Sequence, residues 1–361
     1  MFYRLLYPLH ESLGAFNVFR YATFRSALAA FTALVLALVL GPWLIDRLRQ
    51  FQIGQEIREE GPASHQAKAG TPTMGGLLII TAIVVPTLMW TNLANPLVWI
   101  GVGSVVLFGG IGFLDDYLKI TKKRSLGLRA GAKFGLQLAL GAGIGIVLLV
   151  LSRHGLWETH LQVPFLKTFR PELGWLYVPF AMLVIVGSAN AVNLTDGLDG
   201  LAIGSTLIAS GTFAILTYAA GNAKVAQYLG IAGIKGADDL AVLCLAMVGA
   251  SLGFLWFNCH PAQIFMGDVG SMALGGGLGT VAVLIKQELL LVLVGGLFVI
   301  EAASVILQVA SFKTRGVRIF RMSPIHHHFE LSGWHESKIV IRFWILALIF
   351  ALLSLATLKL R

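Results

Sequence analysis

The sequence predicts an all-α polytopic membrane protein of about ten spanning helices, forming a single domain over residues 1–361. Three observations predict it. Of 361 residues, 57% are apolar and only 12% charged, with a mean hydropathy of +0.80. Several apolar runs reach the roughly 20 residues that a helix needs to cross a bilayer. The acidic and amide residues that remain gather in short clusters between the runs. A soluble core of this size would carry far more charge.

Taken in order, residues 1–20 are mixed, and the first apolar run covers 23–46. It ends in GPWLIDR with no small-residue cleavage site, so it reads as a retained span and not as a cleaved signal. The second span, 72–93, overlaps the string GTPTMGG, and the third, 97–118, ends in GFLDDY. A basic loop leads to the fourth, 131–151. The fifth and sixth, 174–192 and 198–219, are joined through NAVNLTDGLDG. The seventh and eighth, 238–258 and 264–285, are joined through NCHPAQIFMGDVGS. The ninth, 288–309, carries the pair Gly295–Gly296, which either kinks the helix and opens a lipid groove or serves close helix packing. The tenth covers 339–358. The longest connections, near 47–71 and 310–338, are too short for an independent core. No internal repeat is visible, which disfavours a repeat-built transporter.

Lys and Arg set the orientation. Fifteen fall on the odd-numbered connections, among them Arg47, Lys68, Lys119, Lys133, Lys313 and Arg318. Six fall on the even-numbered ones, Arg153, Lys167, Arg170, Lys224, Lys235 and Lys286. The positive-inside rule therefore places the odd connections in the cytoplasm and both termini outside. The net charge of +9 is explained by those loops, not by nucleic acid. Cys244 lies within an apolar run, so neither a disulfide with Cys259 nor a cysteine-based metal site is expected.

The suspicious polar residues all fall on the odd side. Asp115 and Asp116 close the third span, with Lys119 one turn on; they read as a solvated helix end or as one carboxylate facing a site and one supporting it. Asp196 and Asp199 are three apart, flanked by Asn193, Gly197 and Gly200, and read as a capped turn or as one polar face. Asp268 sits among small residues beside Phe265 and Asn258, a setting that suits phosphate or hydrated Mg2+ more than Zn2+. The run His326–His327–His328 cannot all face one site from a regular helix; it reads as a surface turn or as phosphate and acid–base contacts. Lys68, ahead of GTPTMGG, is a phosphate-contacting candidate outside any Walker A pattern. Together these parts suggest metal-assisted phosphoryl chemistry at a membrane surface.

Five strings carry a resemblance that runs almost end to end: SHQAKAGTPTMGG, GFLDDY, NAVNLTDGLDGLA, GFLWFNCHPAQIFMGDVGS and RMSPIHHHFE. The chain resembles the phospho-N-acetylmuramoyl-pentapeptide-transferase family of the polyprenyl-phosphate N-acetylhexosamine-1-phosphate transferases. PIHHHFE is similar to that branch and not to the sister enzymes that take UDP-N-acetylglucosamine. The resemblance implies ten spans, periplasmic termini, a homodimer, Mg2+ and an active site on cytoplasmic loops of a bacterial inner-membrane protein. It implies transfer of phospho-N-acetylmuramoyl-pentapeptide from its UDP carrier to undecaprenyl phosphate, giving lipid I and UMP. Asp115, Asp116, Asp268 and His326 would be catalytic, with Mg2+ on Asp268 and Asp115 as a further ligand. Lys68, Lys119, Asn190, Asn193, Asp196, Gly197, Leu198, Asp199, Asn258, Phe265, His327 and His328 would bind substrate, Phe265 by stacking on uracil. Direct in-line attack by the lipid phosphate is favoured over an aspartyl intermediate, because a phosphate monoester is mostly dianionic at pH 7. A cation-coupled transporter is the reading from another class; it requires acids on both sides of the membrane.

Overall fold

Without water to bond to, backbone amides in lipid must be satisfied within their own segment, so apolar runs fold as helices. The computed structural model describes residues 2–51, 70–122, 126–155, 157–166 and 169–358. Its helices are α1 (Phe2–Leu6), α2 (Ala22–Gln50), α3 (Gly76–Trp90), α4 (Pro96–Thr121), α5 (Ala130–Arg153), α6 (Tyr177–Thr195) and α7 (Leu201–Gly221). They continue with α8 (Ala223–Leu229), α9 (Asp238–Asn258), α10 (Gly267–Leu284), α11 (Glu288–Val294), α12 (Gly296–Arg315), α13 (Ile325–Glu330) and α14 (Glu336–Ala356). Among the described residues no strand forms; one isolated antiparallel bridge joins His160 and Glu172. Among the described residues nine helices are long and apolar enough to cross a membrane, and α3 is a shorter apolar helix of 15 residues. The protein is thus an all-α, multi-pass membrane protein.

Two elements differ from the sequence expectation. The second span begins at Gly76 and not at 72, because the chain before it pairs with another loop: Phe265 N donates to Pro72 O and Gly75 N to Phe265 O. The ninth span is broken. α11 ends at Val294, Gly295 leaves the helix, and α12 runs on to Arg315, beyond the expected end at 309. Gly295 has ψ +22°, although its N–H still donates to Leu291 O and its carbonyl accepts from Val299 N, and α12 begins where Gly296 meets the Phe350 ring of α14.

At the centre stands α10, buried at every residue from Val269 to Leu284. Its small residues allow this. Gly275 and Gly279 lie against the backbone of α6, and Gly276 and Gly277 against Phe108 and Val105 of α4. The packing matters for the site: α4, α6 and α10 meet with their polar ends at one end of the bundle. The opposite end has its own buried clamp. There Arg25 Nη1 meets Asp239 Oδ1 at 2.6 Å, and Asn95 Nδ2 donates to Gly236 O and Asp239 Oδ2.

Candidate active site

The last turn of α4 supplies Asp115 and Asp116, both almost fully buried. Being adjacent on a helix, they diverge, and each spends one oxygen on a different backbone. Leu128 N donates to Asp115 Oδ1 at 2.8 Å, and Val269 N donates to Asp116 Oδ2 at 3.2 Å. Their other oxygens turn to one cation. Lys119 Nζ stands 2.7 Å from Asp115 Oδ2, 3.1 Å from Asp116 Oδ1 and 2.8 Å from Asp268 Oδ2. Lys133, on the first turns of α5, reaches Asp268 Oδ2 at 2.6 Å and Asp115 Oδ2 at 3.5 Å. Three acids against two lysines leave one formal negative charge, so the cluster is held together by mutual neutralisation.

Asp268 opens α10, where the free backbone N–H groups favour a carboxylate. Asn193, from the end of α6, donates to its Oδ1 at 2.7 Å and to Ser271 Oγ at 2.8 Å. Two glycines make the approach possible. Gly267 has φ +70°, and a Cβ there would press on Asp116 Oδ2; a Cβ at Gly112 would overlap the Asp268 carbonyl.

Around this cluster lies the α6–α7 turn. Asp196 is half-buried, and burial followed by the like charges of Asp268, Asp116 and Asp199 pushes its carboxyl up to about 8. Asp199 Oδ2 accepts from Ala262 N at 3.1 Å and lies 3.1 Å from His260 Nδ1. Glu336, at the start of α14, accepts from Asp199 N at 2.7 Å and stands 3.4 Å from the same His260 nitrogen. Asn258 bridges the turn to the α9–α10 loop, accepting from Gly200 N and donating to Ile264 O. Phe265 is partly open, and its backbone is pinned to the Pro72–Gly75 segment.

The three histidines of α13 take three different partners, as a helix requires. His326 is fully buried against Glu301, His327 pairs with Glu330 at 3.1 Å, and His328 Nδ1 accepts from Arg321 N at 3.1 Å. The His326 ring reaches the α6–α7 turn, where a Cβ on Gly197 would overlap its Nε2.

The structure thus gathers Asp115, Asp116, Lys119, Asn193 and Asp268 in one cluster. Asp196, Gly197, Asp199, Asn258, Phe265 and His326 line its surroundings. Two expected residues sit differently. Asn190 lies one turn deeper, its amide engaged by Gln137 and Val186. The Leu198 side chain packs with Leu201, Leu297 and Ile339 in a small apolar core, leaving only its backbone for a ligand. Lys68 lies outside the described residues. Lys133, His260, Glu301 and Glu336 were not singled out in the sequence. Glu301 did leave a signal, as a lone acid inside an apolar run.

Chemically, the arrangement can hold a divalent cation. Oxygens of Asp115, Asp116 and Asp268 lie within 4.8 Å of one another. The donors are hard carboxylate oxygens, the set that suits Mg2+. Two ammonium groups already mark the place where positive charge is stabilised. His260, Asp199 and Glu336 form a second such grouping, in which one donor is a histidine nitrogen and not a carboxylate oxygen.

Comparison with known proteins agrees with this reading. The sequence profile of glycosyl transferase family 4 matches residues 98–286. A signature of phospho-N-acetylmuramoyl-pentapeptide-transferases matches residues 68–80. Three proteins that bear the name phospho-N-acetylmuramoyl-pentapeptide-transferase, from Koribacter versatilis, Citrifermentans bemidjiense and Acidobacterium capsulatum, are 56%, 56% and 57% identical to this chain. In each comparison the whole of both chains is covered. The matched signature and the full-length identity together make the chain a member of the phospho-N-acetylmuramoyl-pentapeptide-transferases within glycosyl transferase family 4.

Proposed function

We propose that the protein transfers phospho-N-acetylmuramoyl-pentapeptide from UDP-N-acetylmuramoyl-pentapeptide to undecaprenyl phosphate, yielding lipid I and UMP. The observation that carries this is the cluster of three acids and two lysines at one end of a helical bundle. Both substrates are phosphate esters, and bringing them together requires positive charge at a lipid-accessible height. Lys119 and Lys133 would clamp phosphate oxygens. Asp268, with Asp115 and Asp116, would hold Mg2+, which supplies charge neutralisation for the transferring phosphoryl group.

In this reading a lipid phosphate oxygen attacks the β-phosphorus in line. The P–O bond to the UMP phosphate breaks, and UMP leaves with the bonding electron pair. The environment of Asp115 supports direct attack. One of its oxygens is fixed by Leu128 N and the other by Lys119, so the carboxylate is poorly disposed as a nucleophile. Phe265 and the Asp196–Asp199 turn would receive the uridine, and His326 to His328 the sugar diphosphate. The charge asymmetry of the loops supports a cytoplasmic site with both termini outside. A second copy of the chain is the expected partner, to be checked by crosslinking in native membranes.

The experiment is UMP release by detergent-purified protein given undecaprenyl phosphate and Mg2+. One tube receives UDP-N-acetylmuramoyl-pentapeptide and another UDP-N-acetylglucosamine. Release with the muramoyl substrate alone, abolished by EDTA, is the expected result. Release with N-acetylglucosamine alone would move the chain to the sister specificity, and release with neither would overturn the reading.

A further inference from the structure

Glu301 is a buried acid that the chemistry above does not use. It lies on α12, beyond the break at Gly295, and has no exposed surface. An ionisable group in an apolar helix is costly and calls for a specific partner. That partner is His326, equally buried, whose Nδ1 stands 3.0 Å from Glu301 Oε2. Neither Glu301 Oε1 nor His326 Nε2 has a hydrogen-bond partner among the described residues. The unpartnered nitrogen is the one that meets Gly197, beside Asp196.

We infer that Glu301 is a positioning residue for His326. Its carboxylate takes the Nδ1–H, which fixes the tautomer and the ring plane and sets Nε2 against the Gly197 edge of the α6–α7 turn, the turn proposed to receive the substrate. The pair also joins α12 to α13, so the helix that departs at Gly295 carries the group that orients the histidine. A histidine buried only for packing would need no carboxylate on one nitrogen and would not leave the other unpaired. The inference rests on the transferase reading for the identity of the ligand, but not for the geometry of the pair.

The test compares wild type, Glu301→Gln, His326→Ala and the double variant in the UMP-release assay. Glu301→Gln keeps the shape while losing the charge and the fixed acceptor. It is expected to lower kcat/KM for the UDP substrate at least about tenfold, the order seen when the partner orienting a functional histidine is removed. Detergent elution and Tm should stay at wild-type values. In the His326→Ala background the same change should cost less than about twofold, because coupled residues are non-additive. Unchanged activity in Glu301→Gln, or an equal loss in both backgrounds, would overturn the inference. Should the variant not fold, wild-type protein labelled with 15N-histidine decides. The resonance lost in His326→Ala should show a protonated Nδ1, and a bare Nδ1 would overturn the inference. Wild-type protein that releases no UMP would sink the transferase reading alone, leaving this measurement to judge the pair.

Discussion

Asp268 is the residue on which the cluster turns, since it accepts from Lys119, Lys133 and Asn193 at once. Asp268→Asn should reduce kcat/KM at least ~100-fold, because it removes the lysine anchor and, in the proposed mechanism, a ligand for Mg2+. The fold should persist, as judged by an unchanged elution profile; substantial Mg2+-dependent turnover would contradict the assignment. Asp196 makes a second prediction. Burial and the neighbouring acids raise its carboxyl to about 8, which favours the protonated, hydrogen-bond-donating form toward neutral pH. Native protein then holds a proton that the unfolded chain lacks between about 4 and 8. This contribution to stability is complete at low pH and lost as pH rises through 8. Above that pH the carboxylate repels a diphosphate, so KM for the UDP substrate should rise between pH 7 and 9. In Asp196→Asn the KM should stay flat over the same range, and a parallel rise there would remove Asp196 from the effect. Mg2+ on the neighbouring acids would draw the midpoint below 8.

Helices place these residues only because their backbones come unusually close. A Cβ at Gly112 would overlap the Asp268 carbonyl, and one at Gly76 would overlap Gly270. Gly→Ala in a helix interior ordinarily stabilises by about 1 kcal/mol. At Gly112 the sign should reverse. Gly112→Ala must push α4 off α10, at a cost on the order of 1–3 kcal/mol for overpacking, and it moves Asp115 and Asp116 relative to Asp268. A lowered Tm together with lost turnover is the expected result, and a raised Tm would show that the helices have room. Element positions along the sequence were legible from hydropathy alone for α2, α4, α5, α6, α7 and α9. The start of α3 was not, because residues 72–75 are spent on Phe265, a partner nearly two hundred residues away. Nor was the break in the ninth span, since a glycine pair serves packing and kinking equally well until its neighbours are known.

At the scale of the molecule, the parity of charges along the chain and the geometry of the bundle agree. Every acidic or histidine cluster on an odd-numbered connection converges at one end, and Arg25, Asp239 and Asn95 close the other. The transporter reading loses its footing on the full-length identity to the transferases and on their matched signature. The two native cysteines offer a direct check of sidedness. Cys259 is exposed in the site loop and Cys244 is buried. A membrane-impermeant maleimide should label Cys259 in inverted vesicles and leave it unlabelled in intact spheroplasts. The reverse pattern would turn the site to the outside and overturn the proposed cytoplasmic orientation.

The sequence by itself determined the fold class, the order of the apolar helices, and the acidic strings from which the candidate site is built. Each of these is a local property: hydropathy over a window, charge on a loop, or residue types within a short string. Only the tertiary structure decided how the acids are shared. Lys133 was an anonymous loop lysine until the start of α5 was folded against α10. Asn190 and the Leu198 side chain were expected at the substrate, yet they face helix neighbours. Glu301 acquired a purpose only when His326 came to rest beside it. Those outcomes depend on which helix faces meet, and that is set by small-residue contacts between segments far apart in sequence. No window along the chain contains them.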